Sequence, residues 1–256
     1  MPKLVTWNVN SIAMRLERLL AYLARTTPDF VCLQELKTTE EKFPFEALTA
    51  AGYHTTMLGQ KTYNGVAVLT RRPPDAVFLG LGDHVDDPAA RLVGVRLDGV
   101  TCLSAYVPNG QAVGTEKYYY KLNWLARLRE NLEREHRADE ALVLAGDFNV
   151  APTDADVHDP AAWRGKVLCS EPERAALRQV MDFGLTDASW KLHPESGQFT
   201  WWDYRQLAFP RNEGLRIDLI LATAPVAARL GSCEVERDER KGEKPSDHAP
   251  VLATWS

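Results

Sequence analysis

Short apolar runs recur along the chain and alternate with amphipathic stretches. Eight runs rich in β-branched residues predict strands: Lys3–Asn8, Phe30–Gln34, Gly65–Thr70, Arg91–Leu97, Thr101–Val107, Ala141–Gly146, Ile217–Ala222 and Pro250–Trp255. Helical spacing falls between them. Ile12, Leu16, Leu19, Leu20 and Leu23 mark one apolar face, and Tyr118, Leu122, Leu125, Leu128 and Leu132 mark a second. Ser170-Glu171-Pro172-Glu173 reads as a capping box that opens a third helix, which should stop near Gly184. Asp83–Ala90 and Glu234–Lys244 are polar loops, and Ala151–Lys166, rich in Pro and Asp, is irregular. Strands outnumber helices yet interleave with them. This favours an α/β chain forming one domain over residues 1–256, with two packed sheets and helices outside.

The polar residues that interrupt this pattern are the informative ones. Apolar runs end abruptly in acids and amides at Gln34-Glu35, at Asp147-Phe148-Asn149 and, just before the last run, at Ser246-Asp247-His248. Asn8 ends the first strand, Tyr106 lies near the end of another, and Asp218 falls at or within the Ile217 run. If these ends meet, Glu35, Asp147, Asp218 and Asp247 share one pocket. Two like charges about 4 Å apart cost roughly 4 kcal/mol at an effective dielectric near 20. Four converging carboxylates therefore call for a cation or for separate pairing with basic side chains. Oxygen donors with little His and no Cys suit magnesium or manganese. His248 has a natural partner in Asp218, which would fix its tautomer and make it a donor to a phosphoryl oxygen. The other histidines suit surface or capping roles.

Composition narrows the setting. The net charge of −5 argues against a protein that coats nucleic acid by bulk attraction, though a local basic rim would still permit binding. Rim candidates are Lys37, Lys61, Arg71, Arg72, Arg91, Arg205, Lys241 and Lys244. Cys32, Cys102, Cys169 and Cys233 are widely spaced, with no metal or redox spacing, and should be buried free thiols. No run has the length of a signal peptide or a membrane span, so no membrane partner is expected and the cytoplasm is the expected compartment. The aromatic segment Phe199–Tyr204 should place at least one tryptophan in the core and offers a wall against a sugar or an unstacked base.

Six segments in order carry a resemblance: Trp7-Asn8-Val9-Asn10, Leu33-Gln34-Glu35-Leu36-Lys37, Tyr106-Val107-Pro108-Asn109-Gly110, Gly146-Asp147-Phe148-Asn149, Leu215-Arg216-Ile217-Asp218 and Ser246-Asp247-His248-Ala249-Pro250. Together they resemble the exonuclease III family of AP endonucleases over essentially the whole chain. The resemblance implies a four-layered α/β sandwich, two mixed sheets face to face with helices outside. It also implies Mg²⁺-dependent hydrolysis of a DNA phosphodiester, with Mn²⁺ as a substitute. The substrate would be double-stranded DNA bearing abasic sites or damaged 3′ ends, and the enzyme a monomer.

By the same likeness Glu35 is the principal metal ligand, with Asn8, Asp147, Asn149, Asp247 and His248 around the ion. Asp147 would activate the attacking water or protonate the leaving oxygen, Asn149 would position water and phosphate, and Asp218 would orient His248. Tyr106 would contact the phosphate or support the leaving group. Asn10, Arg91, Asn109, Gln111 and Trp201 fall where the family contacts DNA. Two positions depart from the pattern: Ser11 stands where the family often has Gly, and Leu36 where Thr is common. Two other functions compete: a superfamily phosphoesterase with a non-DNA substrate, and a non-catalytic nucleic-acid-binding regulator. The regulator is disfavoured because all the acids are present.

Overall fold

The computed structural model describes residues 1–195 and 198–256. Its strands are β1 (Lys3–Asn8), β2 (Phe30–Gln34), β3 (His54–Leu58), β4 (Val66–Thr70), β5 (Ala76–Leu79), β6 (Leu92–Leu97), β7 (Val100–Tyr106), β8 (Leu142–Asp147), β9 (Leu185–Asp187), β10 (Asp218–Thr223), β11 (Leu230–Val235) and β12 (Val251–Trp255). They form two six-stranded mixed sheets, ordered β11-β12-β1-β2-β4-β3 and β5-β6-β7-β8-β10-β9. The pairs β1–β2 and β7–β8 are parallel, and all other neighbours are antiparallel.

The two sheets pack face to face. Leu4, Cys32, Val66 and Val68 of one meet Val93, Val95, Cys102, Val143 and Ile220 of the other. Cys32 Sγ and Cys102 Sγ lie 3.3 Å apart across this seam, and all four cysteines are buried and unbridged. Helices cover the outer faces. On the first sheet lie α1 (Ile12–Thr26), through Ile12, Leu19, Tyr22 and Leu23, and the short α2 (Phe45–Ala50), through Leu48. On the second lie α3 (Glu116–Glu135), through Trp124, Leu125, Leu128 and Leu132, and, past the short α4 (Pro160–Trp163), α5 (Glu171–Met181), through Leu177 and Val180. The result is the four-layered sandwich that the sequence leads one to expect. The short α6 (Ala188–Leu192) follows β9, and α7 (Ala224–Ala227) follows β10.

Several local expectations hold. The Ser170 capping box forms, with Ser170 N–H donating to Glu173 Oε2 at 3.1 Å. Helix α5 ends at Met181, and Gly184 takes a φ of 112°. Trp202 is fully buried. His136 caps the C-terminus of α3 but is buried against Phe78 rather than exposed. The stretch from Glu234 is not wholly loop, because Glu234 and Val235 complete β11. Among the described residues, no helix is long and apolar enough to cross a membrane.

The topology fixes where chemistry can sit. Asn8, Gln34, Tyr106 and Asp147 are the last residues of β1, β2, β7 and β8, the two central parallel pairs. In register, Asp147 faces Tyr106 on one side and Asp218 on the other. Arg71 and Arg72 follow Thr70, which pairs with Phe30 at the start of β2. They therefore lie at the opposite end of the sandwich and are not part of a basic rim.

Candidate active site

The loops that hold the site are held in unusual backbone conformations. Asn10 (φ 43°), Ser11 (φ 90°), Glu35 (φ 52°), Lys37 (φ 53°) and Asn149 (φ 50°) are all left-handed. Such conformations cost of order 1–3 kcal/mol each and persist only where the surroundings enforce them. Here the enforcement is visible. Ser11 N–H donates to Glu35 O at 2.7 Å, Ile12 N–H to Leu36 O at 3.1 Å, and Leu36 N–H to Gly65 O at 3.1 Å. Ser11 thus adopts a backbone that favours glycine, and Leu36 is a fully buried core residue. Neither departure from the family pattern opens the loop.

Asp147 is placed by a close strand approach. A Cβ added at Gly146 would lie 1.9 Å from the carbonyl oxygen of Ala105, so only glycine lets β8 run against β7 here. Asn8 then joins the two sheets through one amide: its Nδ2 donates to Glu35 Oε1 and to Asp147 Oδ2, both at 2.9 Å. Glu35 also pairs with Lys37 Nζ at 2.9 Å, and Lys37 reaches Asn10 Oδ1 at 2.5 Å. Lys37 is therefore inside the site rather than on its rim.

His248 stands between two acids. Its Nδ1 lies 2.8 Å from Asp218 Oδ2, and its Nε2 lies 3.8 Å from Asp147 Oδ2. Burial alone would push its pKa down, but the adjoining Asp218 and Asp147 carboxylates raise it to about 10. Asp147 moves up as well, to about 7, through burial and the nearby Asp218 and Glu35, against the pull of His248 and Asn8. The Tyr106 phenol, buried beside Glu35 and Asp147, is held well above its ordinary value. Asp247 goes the other way. Burial opposes its charge, yet His248 and the donors Asn10 Nδ2 (2.9 Å) and Trp201 Nε1 (3.1 Å) keep it ionised below the usual range.

Potential ligand atoms of Glu35, Asp147 and His248 lie within 4.8 Å of one another. Two carboxylates close together, with the Asp147 carboxyl pushed up by burial and by the acids beside it, suit a hard divalent cation, which would relieve that repulsion. Among the described residues, Asp218 Oδ1 is buried without a hydrogen-bond partner, so this acid's one close counter-charge is His248, bonded through Oδ2. Asp247 lies outside the cluster, with each oxygen engaged by Asn10 or Trp201.

The remaining predicted residues border this group. Asn149 Oδ1 accepts from Asn109 Nδ2 at 3.0 Å, and Asn149 Nδ2 donates to Val107 O at 3.0 Å. Arg91 lies over the rings of Tyr106 (5.0 Å) and Tyr120 (5.9 Å) and donates to Tyr106 O. Gln111 is exposed on the same loop as Asn109. Supporting residues not singled out from the sequence also emerge. Ser246 donates to Asn8 O at 2.7 Å, and Thr200 Oγ1 accepts from the N–H groups of Ile217 and Asp218. Ser246 falls within a segment that carries the resemblance and Thr200 within the aromatic segment Phe199–Tyr204, so only their roles were hidden.

This geometry is matched by comparison with known proteins. The family model described as Endonuclease/Exonuclease/phosphatase family matches residues 5–248. This chain belongs to that family. Exodeoxyribonuclease III of Haemophilus influenzae is 35% identical over 265 residues, covering 99% of each chain. Among solved structures, the 3′ phosphatase NExo from Neisseria, bound to product DNA hairpin, superposes with a TM-score of 0.96 at 43% identity over 100% of both chains. An AP endonuclease from Archaeoglobus fulgidus does so with a TM-score of 0.96 at 38% identity, again over 100% of both. The endonuclease/exonuclease/phosphatase family is metal-dependent, and a nuclease of DNA repair is the role these relatives carry for the chain.

Proposed function

We propose that the protein is a Mg²⁺-dependent phosphoesterase of double-stranded DNA, acting as a monomer 5′ to abasic sites and at damaged 3′ ends. The observation that carries this reading is the convergence of Glu35 and His248, at the ends of strands in the first sheet, with Asp147 of the second, their potential ligand atoms within 4.8 Å of one another. Glu35 and Asp147 would hold the ion, and the Asn8 amide, donating through Nδ2 to both, would set their spacing. When bound, the cation neutralises charge on the phosphate and favours attack by water; Mn²⁺ has the same oxygen preference and should substitute.

The protein's own groups divide the remaining work. His248, held protonated by Asp218, donates through Nε2 to a non-bridging phosphate oxygen. Asp147, with a pKa raised to about 7, is poised near neutral pH to take a proton from water or deliver one to the leaving oxygen. Tyr106, neutral and partly buried, offers a phenolic donor at the same edge. Asn149, fixed between Asn109 and Val107, would position the nucleophile or the phosphate. Asp247 accepts from Asn10 and Trp201 and so fixes both, and the Trp201 indole would offer an aromatic wall to a sugar without its base. An abasic nucleotide lacks stacking and is turned out of a duplex at little cost, which gives selection of damage without reading sequence.

The test is a side-by-side rate comparison on a duplex with an abasic-site analogue, a 3′-phosphate end and a matched 3′ end, with Mg²⁺ and with EDTA. Metal-dependent cleavage leaving a 3′-OH is expected. Folded protein that cleaves none of the three with Mg²⁺ or Mn²⁺ would return the chain to the non-catalytic binding class. Turnover of the 3′-phosphate alone would narrow the function to that of the phosphatase relative.

A further inference from the structure

We propose that Lys121 and Glu173, a buried ion pair outside the reacting groups, are positioning residues that set Asn149 and Asn109 at the site. The inference rests on the functional reading above, in which Asn149 serves the hydrolysis. Lys121 sits on the apolar face of α3, three residues from Tyr118 and four from Leu125, where a leucine would be the unremarkable choice. Its side chain is fully buried. Removing an ammonium from water is strongly unfavourable unless it is paired and fully hydrogen-bonded. The destinations of its three donors account for its presence: Asn149 O at 2.5 Å, Asn109 O at 3.2 Å and Glu173 Oε1 at 2.5 Å.

Two of these acceptors are main-chain carbonyls of site residues that also bond each other through Asn109 Nδ2 and Asn149 Oδ1. Both lie in turns with left-handed backbone: Asn149 has φ 50°, and Gly110, which follows Asn109, has φ 90°. Asn149 N–H in turn donates to Asp147 Oδ1 at 2.9 Å. A Cβ at Gly110 would meet Lys121 Cδ at 3.1 Å and Val167 Cγ2 at 3.3 Å, so the lysine stem packs directly against the turn.

The counter-ion is equally committed. Glu173 Oε1 also accepts from Leu168 N–H at 3.0 Å, and Oε2 from Ser170 N–H at 3.1 Å and the Ser170 hydroxyl at 2.5 Å. A continuous set of contacts thus runs from the first turn of α5 through Glu173 and Lys121 to Asn149 and Asp147. It ties the two outer helices of the second sheet to the tips of β7 and β8.

The test is kinetic, on the full chain with Mg²⁺ and an abasic duplex. Lys121→Met with Glu173→Gln removes both charges together and leaves a Gln able to cap α5, so no buried charge is stranded. This double variant should lose about 100-fold in kcat, the scale of a displacement of about 1 Å at a reacting group, with KM within about threefold. Asn149→Ala should abolish the coupling: adding the double change to it should cost less than about threefold more. A folded double variant with kcat within about threefold of wild type would overturn the inference, as would a loss that multiplies fully with that of Asn149→Ala. If the double variant does not fold, Glu173→Gln alone decides. A drop in kcat of about fivefold or more at unchanged KM supports the tether, and wild-type kcat rejects it. Inactive wild type, or an Asp147→Asn variant as active as wild type, would instead bring down the functional reading itself.

Discussion

His248 Nδ1 is hydrogen-bonded to Asp218 Oδ2 at 2.8 Å, and this one contact decides which ring nitrogen faces the pocket. The carboxylate, fully buried and with its second oxygen unpartnered, has no competing donor. It therefore both orients the imidazole and holds its second proton.

Asp218→Asn keeps the shape but removes the charge. We expect kcat to fall about 10- to 100-fold, the usual cost of losing a partner that orients a site histidine. In metal-free protein, imidazole NMR should show wild-type His248 doubly protonated until the pH approaches about 10, and titrating lower in the variant. The folded pKa is raised, so the stabilisation is complete below an unfolded value of about 6.5 and is lost as pH rises through about 10. An unshifted His248 titration in the variant would sink this account.

Asp147→Asn should inactivate the enzyme and stabilise it. The raised carboxyl favours the folded state below an unfolded pKa of about 4, and that advantage is lost as pH rises through about 7. Metal-free wild type at pH 8 thus carries the cost of a crowded anion that the amide avoids. Thermal melts in EDTA at pH 8 should show the variant higher by about 2–4 °C or more, with the gap closing near pH 4. A variant that melts lower at pH 8 would mean that Asp147 is not held against its environment.

Glu35→Ala removes a side chain that accepts from Asn8 Nδ2 and pairs with Lys37 Nζ. Activity titrated with Mg²⁺ should need at least about tenfold more metal, with the fold intact by circular dichroism. An unchanged midpoint would exclude Glu35 as a ligand. The same titration should be tighter at pH 8 than at pH 6, because the ion displaces the proton held by Asp147.

Arg216 concerns stability rather than turnover. It is buried between Asp156 Oδ1 at 2.6 Å and Asp187 Oδ2 at 2.8 Å. Arg216→Met strands two buried carboxylates, for a loss of about 3–5 kcal/mol in urea denaturation at pH 7. A loss below about 1 kcal/mol would show that these acids find other partners.

What the sequence made legible follows burial. The eight strands expected from apolar runs are all present, with ends displaced by a residue or two, as at Gly65, Arg91 and Val107. The four that went unrecognised, β3, β5, β9 and β11, are the four edges of the two sheets. Strands β3, β5 and β11 are only partly buried, and β9 has three residues, so none carries a continuous apolar run. At the site, Glu35, Asp147, Asp218 and His248 were visible because each breaks an apolar segment. Lys121 was not. A single charge within an amphipathic helix does not reveal which distant carbonyls it will meet, although its position on the stripe of Tyr118 and Leu125 was the available signal.

The bridge that Asn8 makes between Glu35 and Asp147 gives the fold a built-in safeguard. The reactive assembly belongs to neither sheet alone; it comes into being only at their mutual contact. A chain with one layer folded and the other still loose lacks part of this assembly, so it has no capacity to cut. Competence to break DNA is thereby made conditional on finished folding, and damage to the core disarms the enzyme instead of leaving an unsupervised nuclease.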